Sequence, residues 1–255
     1  MRNLQRLTKP AALLVGVLLV GYAGVSLGRH YERNWQCCQI PVGRRIIVSV
    51  EDVLGLALFP SGTGQDKWVL ETVFPGVRNG YFVDVGSGDG IIDSNTYALE
   101  RKGWTGVCID AFPTNTQSRT CQIFRAAVDS EAGKHVTFYS YGILGGIGEY
   151  LGHTKDDVVK EGHPVDLVTT TLGDILERAK APHYIHFMSV DVEGAEVAVL
   201  RGFPFEKYQL GSLVVEHNFE EPKRANLQAL LESHGYRRVH SWYSDDFYRP
   251  TGDVK

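Results

Sequence analysis

Residues 81–90 read YFVDVGSGDG. An apolar run ends in Asp84, and Gly86, Gly88 and Gly90 follow at two-residue intervals. Such a run reads as a buried strand that breaks into a tight turn where backbone meets a ligand, because glycine reaches positive φ and leaves no Cβ in the way. A second carboxylate, Asp110, ends the next apolar run, GVCI at 106–109. A strand-end carboxylate about 20 residues beyond a glycine turn suits the paired hydroxyls of a ribose. The dinucleotide fingerprint G-x-G-x-x-G would need its third glycine at position 91, and that position is Ile91. The spacing therefore speaks against a nicotinamide-type pyrophosphate site.

A second constellation is SVDVEGAE at 189–196. Asp191 ends an apolar run, and Glu193 and Glu196 open a helix, where carboxylates favour the positive end of the dipole. His217 ends another core run, LVV at 213–215, and a neutral imidazole there could take a proton from a hydroxyl. Asp191, Glu193 and His217 are the candidate catalytic groups. An oxygen-rich cluster can hold a divalent ion with waters or surround a charged ligand; no metal is assigned. The cysteines lack C-x-x-C spacing, which argues against zinc. Cys108 reads as a small core residue, and Cys37-Cys38 as free or palmitoylated thiols.

The elements that must position these groups alternate. Strands are expected at 81–85, 105–110, 122–128, 135–139, 167–171, 184–190 and 213–216, and helices at 65–74, through 99–102, 172–179, 194–200 and 222–234. A hairpin closes the chain over 236–248. Strand–helix alternation implies a doubly wound, mostly parallel α/β sheet whose last hairpin is antiparallel. The glycine-rich stretch 142–164 reads as an insertion over the site, since long loops in compact domains often act as lids.

The chain has 255 residues, 43% hydrophobic and 22% charged, with a net charge of −4. Seven basic side chains and one acid give residues 1–45 a net +6, so residues 46–255 carry −10. An acidic main domain is a poor match to a phosphate backbone, and nucleic acid is not expected as a partner. Residues 10–28 carry no charge across 19 positions, which as a helix spans about 28 Å, close to the hydrocarbon thickness. They read as a single-pass transmembrane anchor, with a cleavable signal as the alternative. The expected organisation is a basic tail at 1–9, the anchor at 10–28, a stalk at 29–64 and a catalytic domain at 65–255.

The D-x-G-x-G-x-G pattern resembles motif I of S-adenosylmethionine-dependent methyltransferases. Taken with GQDKWVLETVFPG, SNTYALE, GWTGVCIDAFP, SVDVEGAEVAVLRG and LVVEHN in this order, the chain from about residue 65 resembles the FkbM methyltransferases. That resemblance implies the class I methyltransferase (Rossmann-like) fold and S-adenosyl-L-methionine as donor. It implies methyl transfer to a hydroxyl of a sugar, glycan or lipid-linked small molecule. Carried over by position, Asp84, Gly86, Ser87 and Gly88 would line the donor's amino acid end, Asp110 would hold its ribose, and Asp129 would lie near its adenine. The chain departs from many relatives in having Asp110-Ala111 where they have an acid followed by proline; the carboxylate is kept. Because the donor is made in the cytosol, the catalytic domain is expected to face it. The alternatives are a non-catalytic anchored module that keeps the fold and a nicotinamide-dependent oxidoreductase.

Overall fold

A computed structural model describes residues 59–252 except His153. The expected tail at 1–9, the anchor at 10–28 and the stalk up to residue 58 lie outside the described residues. Among the described residues no helix is long and apolar enough to cross a membrane.

The strands are β1 Tyr81–Val85, β2 Thr105–Asp110, β3 Gln122–Arg125, β4 Ala127–Val128, β5 His135–Ser140, β6 Gly146–Ile147, β7 His163–Thr170, β8 Tyr184–Ile185, β9 Phe187–Val190, β10 Gln209–Leu210, β11 Leu213–Glu216, β12 Tyr236–Trp242 and β13 Asp245–Pro250. The helices are α1 Gln65–Lys67, which runs into a π-helical turn Trp68–Val73, then α2 Tyr97–Arg101, α3 Lys155–Glu161, α4 Leu172–Ala179, α5 Glu196–Arg201 and α6 Glu221–Ser233. Seven strands form the main sheet in the order β12-β13-β11-β9-β1-β2-β3. All neighbours pair in parallel except β13, which is antiparallel to both β11 and β12. The fold is therefore mixed α/β with a parallel-rich sheet and an antiparallel terminal hairpin.

The period of two along each strand sends alternate residues to opposite faces. Val83, Val85, Ile109, Met188, Val190 and Val215 pack with Ile175 and Leu176 of α4, Val199 and Leu200 of α5, and Leu227 and Leu231 of α6. Phe82, Cys108, Phe187, Val214 and Phe247 pack on the other side with Val69, Leu99 and Trp104. Both faces are covered, which is why the central strands read as unbroken apolar runs. Local signals set the helix limits. The Thr171 hydroxyl accepts from Asp174 N at 3.1 Å to start α4, and Lys180 leaves it in the left-handed region. Pro222 sits in the first turn of α6, where a missing N–H costs nothing.

Three expectations need correction. The single strand expected at 122–128 breaks at Ala126, and β4 leaves for a second sheet of order β4-β7-β5-β6. The 142–164 stretch is not all loop. It supplies β6 and α3, and Ile147 is buried with Val136 and Ala127 in the core of the second sheet. Cys108 is not a plain core thiol, since it forms a disulfide with Cys121 across a Cα separation of 5.9 Å. Cys108 pairs in register with Ile123 of the adjacent strand, so the residue two positions earlier comes within bridging distance.

Candidate active site

Parallel pairing aligns the carboxyl ends of the central strands. Val85 pairs with Ile109 on one side and Val190 on the other, and Val190 pairs with Val215. Strand ends that carry Gly86, Asp110, Asp191 and Glu216 therefore emerge along one edge, where open α/β sheets bind ligands. Asp245 joins them because β13 runs the opposite way and starts at that edge, opposite Glu216.

Gly86 N and Ser87 N both donate to Ile109 O, at 2.8 and 3.1 Å, so the turn begins as an extension of the β1–β2 ladder. Gly86 has φ +87°, and a Cβ there would overlap the Asp191 carbonyl oxygen. Gly88, at φ +49°, differs: a Cβ there would find only Ile143, at 3.8 Å. The space beside Gly88 is therefore open. Gly88 N donates to Asp110 Oδ2 at 2.9 Å, and Phe112 N donates to Oδ1 at 2.7 Å. Burial raises the Asp110 pKa, and these backbone donors oppose it. Each carboxylate oxygen keeps a further lone pair for a ligand hydroxyl.

Asp84 is placed behind the turn. It is buried, and its Oδ2 accepts from Thr96 Oγ1 at 2.5 Å. Burial raises its pKa, while the Arg119 charge and the Thr96 hydroxyl pull it down. Ser87 is buried in the turn itself. Asp89, which the sequence reading passed over, staples the far side. Its Oδ1 accepts from Ile92 N at 3.0 Å, and its Oδ2 accepts from Asn115 Nδ2 at 2.7 Å. An aspartate two residues before exposed backbone donors is a local turn signal that could have found it.

Asp129 follows β4 and is spent locally. Its carboxylate accepts from Ser130 N at 2.5 Å and Tyr150 Oη at 3.1 Å, and pairs with Lys134 Nζ at 3.3 Å. The structure does not join it by any of these bonds to Asp84 or Asp110.

Asp191, Glu193 and Glu216 come together, with one oxygen from each within 4.8 Å of the others. Burial, with Asp245 next, raises Asp191 to about 7; burial and the Asp191 charge raise Glu193 to about 8. Glu216 is pushed well above the usual carboxylate range by burial and then by Asp191. Asp245 is raised to about 6 by burial. Glu193 stands at φ 56° and accepts from Asn218 Nδ2 at 3.4 Å. Glu216 Oε2 is buried and has no hydrogen-bond partner among the described residues. Three crowded carboxylates hold either shared protons or a hard cation. Glu216 was legible by the same strand-end rule that pointed to Asp191. Glu196 is a cap instead: it accepts from Gly194 N at 3.0 Å and pairs with Lys223 at 3.0 Å.

His217 sits apart from this cluster. Its Nδ1 accepts from Phe219 N at 3.1 Å, which leaves the proton of a neutral ring on Nε2, and Nε2 lies 3.9 Å from Asp246 Oδ1. Burial lowers its pKa. In this geometry the ring orders the loop after β11 and offers no free acceptor nitrogen to a substrate. The 142–164 stretch does reach the site: a Cβ on Gly194 would overlap Tyr150 O, and one on Gly146 would stand 3.3 Å from Glu193 O.

Among curated proteins no relative matches. Among solved structures, the chain is similar to a provisionally assigned RNA methyltransferase from Pyrococcus horikoshii, with a TM-score of 0.37 and 11% identity over 73% of this chain and 81% of that one. The family model described as the methyltransferase FkbM domain matches residues 84–238. That span opens at the acid before the glycine turn and runs through Asp110, Asp191 and Glu216 into β12, more than half of the chain, so the protein belongs to the FkbM family of methyltransferases.

Proposed function

We propose that this methyltransferase is an O-methyltransferase that takes S-adenosylmethionine as donor and a hydroxyl of a small molecule, glycan or lipid-linked compound as acceptor. The observation that carries it is the bond from Gly88 N to Asp110 Oδ2 at 2.9 Å beside open space at Gly88. A backbone cradle and a ribose-holding carboxylate are thereby fastened to each other. The sheet order, with its reversed last strand, supports the class I methyltransferase architecture.

When bound, S-adenosylmethionine supplies a methyl group already activated on a sulfonium. The chain must then align an acceptor oxygen, exclude water and remove one proton. With their N–H groups spent on Ile109 and Asp110, Gly86, Ser87 and Gly88 offer carbonyls and the open space at Gly88 to the donor's ammonium end, and Asp110 offers lone pairs to its ribose. The proton of the acceptor hydroxyl goes to Asp191 or Glu193, whose pKa values, raised to about 7 and about 8, suit a base working near neutrality, with Glu216 crowded beside them. This moves the base from His217 to the carboxylates.

The Cys108–Cys121 disulfide supports a different compartment from the cytosol, which keeps thiols reduced. This differs from the cytosol-facing domain expected from donor supply, and we propose instead that the domain folds in an oxidising compartment. Mass spectrometry of glycan, lipid and small-molecule extracts, incubated with the enzyme and isotopically labelled donor, tests the proposal. A labelled O-methyl product is expected; label appearing on nitrogen, or on no product, would contradict it.

A further inference from the structure

Arg119 lies between β2 and β3, two residues before the disulfide-bonded Cys121, and its side chain is 1% exposed. Its guanidinium reaches both ends of the glycine turn. Nη1 donates to Gly90 O at 2.9 Å, at the far end. Nη2 donates to Thr96 Oγ1 at 2.7 Å, and Thr96 in turn meets Asp84, at the near end. Nε pairs with Glu100 Oε2 at 2.8 Å. Glu100 Oε1 also accepts from Cys121 N at 2.6 Å, so the arginine is gripped from behind.

The directions of these bonds are forced. A guanidinium only donates, so the Thr96 hydroxyl must spend its acceptor capacity on Arg119 and aim its single proton at Asp84 Oδ2. Asp84 is thereby fixed as an acceptor with a defined rotamer, while Gly90 O is pulled the same way. A lysine could not copy this, because one ammonium cannot present a planar fork to separated acceptors. The same bonds that satisfy the buried guanidinium's donors tie Gly90 and Thr96 to one planar group.

We propose that Arg119 is a positioning residue for the methyl donor, acting through Thr96 and Asp84 on one end of the glycine turn and through Gly90 on the other. This rests on the turn being the donor cradle. The test uses the full chain, purified in detergent, with S-adenosylmethionine titrated into wild type, Arg119→Lys, Thr96→Val and Thr96→Ser by calorimetry. Thermal melting of each sample runs alongside. Wild type is expected to bind, R119K and T96V to bind at least tenfold more weakly while still folded, and T96S, which keeps the hydroxyl, to recover most of the loss. R119K or T96V binding like wild type would overturn the proposal, as would T96S failing as badly as T96V. If R119K unfolds, the two Thr96 variants decide; a T96V that unfolds assigns the relay to stability alone and overturns it. A folded wild type that binds no donor would remove the cradle itself, which separates that failure from failure of the brace.

Discussion

Gly86 and Asp191 compete for one space: the glycine's missing side chain is occupied by the aspartate's carbonyl oxygen. The turn after β1 and the acidic loop after β9 are therefore packed against each other, so the glycine turn cannot shift without the Asp191 backbone.

Two alanine substitutions separate packing from ligand room. At Gly86 an alanine meets Asp191 backbone and an unfavourable φ, so G86A should lose about 3 kcal/mol or more of stability. At Gly88 the space is open, so G88A should cost only about 1–2 kcal/mol, from its positive φ. It should stay folded while losing donor affinity. Chemical denaturation gives the first quantity and calorimetry the second; equal destabilisation by both would contradict the distinction.

Asp110 is bonded to Gly88 and Phe112 through opposite oxygens. Replacing it with asparagine exchanges one acceptor for a donor that faces a backbone N–H. D110N should weaken binding of S-adenosylmethionine at least tenfold, as equilibrium dialysis would show. Unchanged affinity would take the ribose role from Asp110.

The acidic cluster gives activity and stability opposite pH slopes. Proton removal needs an ionised carboxylate, so turnover should rise with pH through the region of about 7 to 8 where Asp191 and Glu193 titrate. For stability, folded pKa values above the unfolded ones mean that the native state binds more protons. That contribution is fully present below the unfolded carboxylate range, near pH 4, and is lost as pH rises through about 7 to 8. The melting temperature should fall from pH 5 to pH 9, and E216Q should flatten that fall. A melting temperature that climbs over this range would reverse the assignment.

The disulfide closes a loop with a sequence separation of 13. Reduction should cost roughly 3 kcal/mol by loop entropy. Protein isolated from its native source in the presence of an alkylating agent should show Cys108 and Cys121 unlabelled until reduced. Labelling of both before reduction would contradict the disulfide and the oxidising compartment proposed from it.

Much of this is legible in the amino-acid sequence. β1, β2 and α4 fall where apolar periodicity and turn residues put them, because each is bounded by strong local signals such as Gly86 and Thr171. Asp84, Asp110 and Asp191 were visible because each breaks an apolar run next to a turn. What escaped was non-local. The break at Ala126 depends on a partner, β7, some forty residues on. The cysteine bridge depends on the β2–β3 register, and the orientation of His217 depends on Phe219 holding its Nδ1. Arg119 carries no motif; its importance lies in the four acceptors that surround it.

The central claim is that the turn from Gly86 to Gly88, fastened to Asp110, holds a sulfonium nucleoside. A crystal structure of the full chain grown with S-adenosylmethionine tests it most directly. Density for the nucleoside against Gly88, with its ribose hydroxyls on the Asp110 carboxylate, is the expected result; a nucleoside bound elsewhere, with Gly88 and Asp110 untouched, would contradict it.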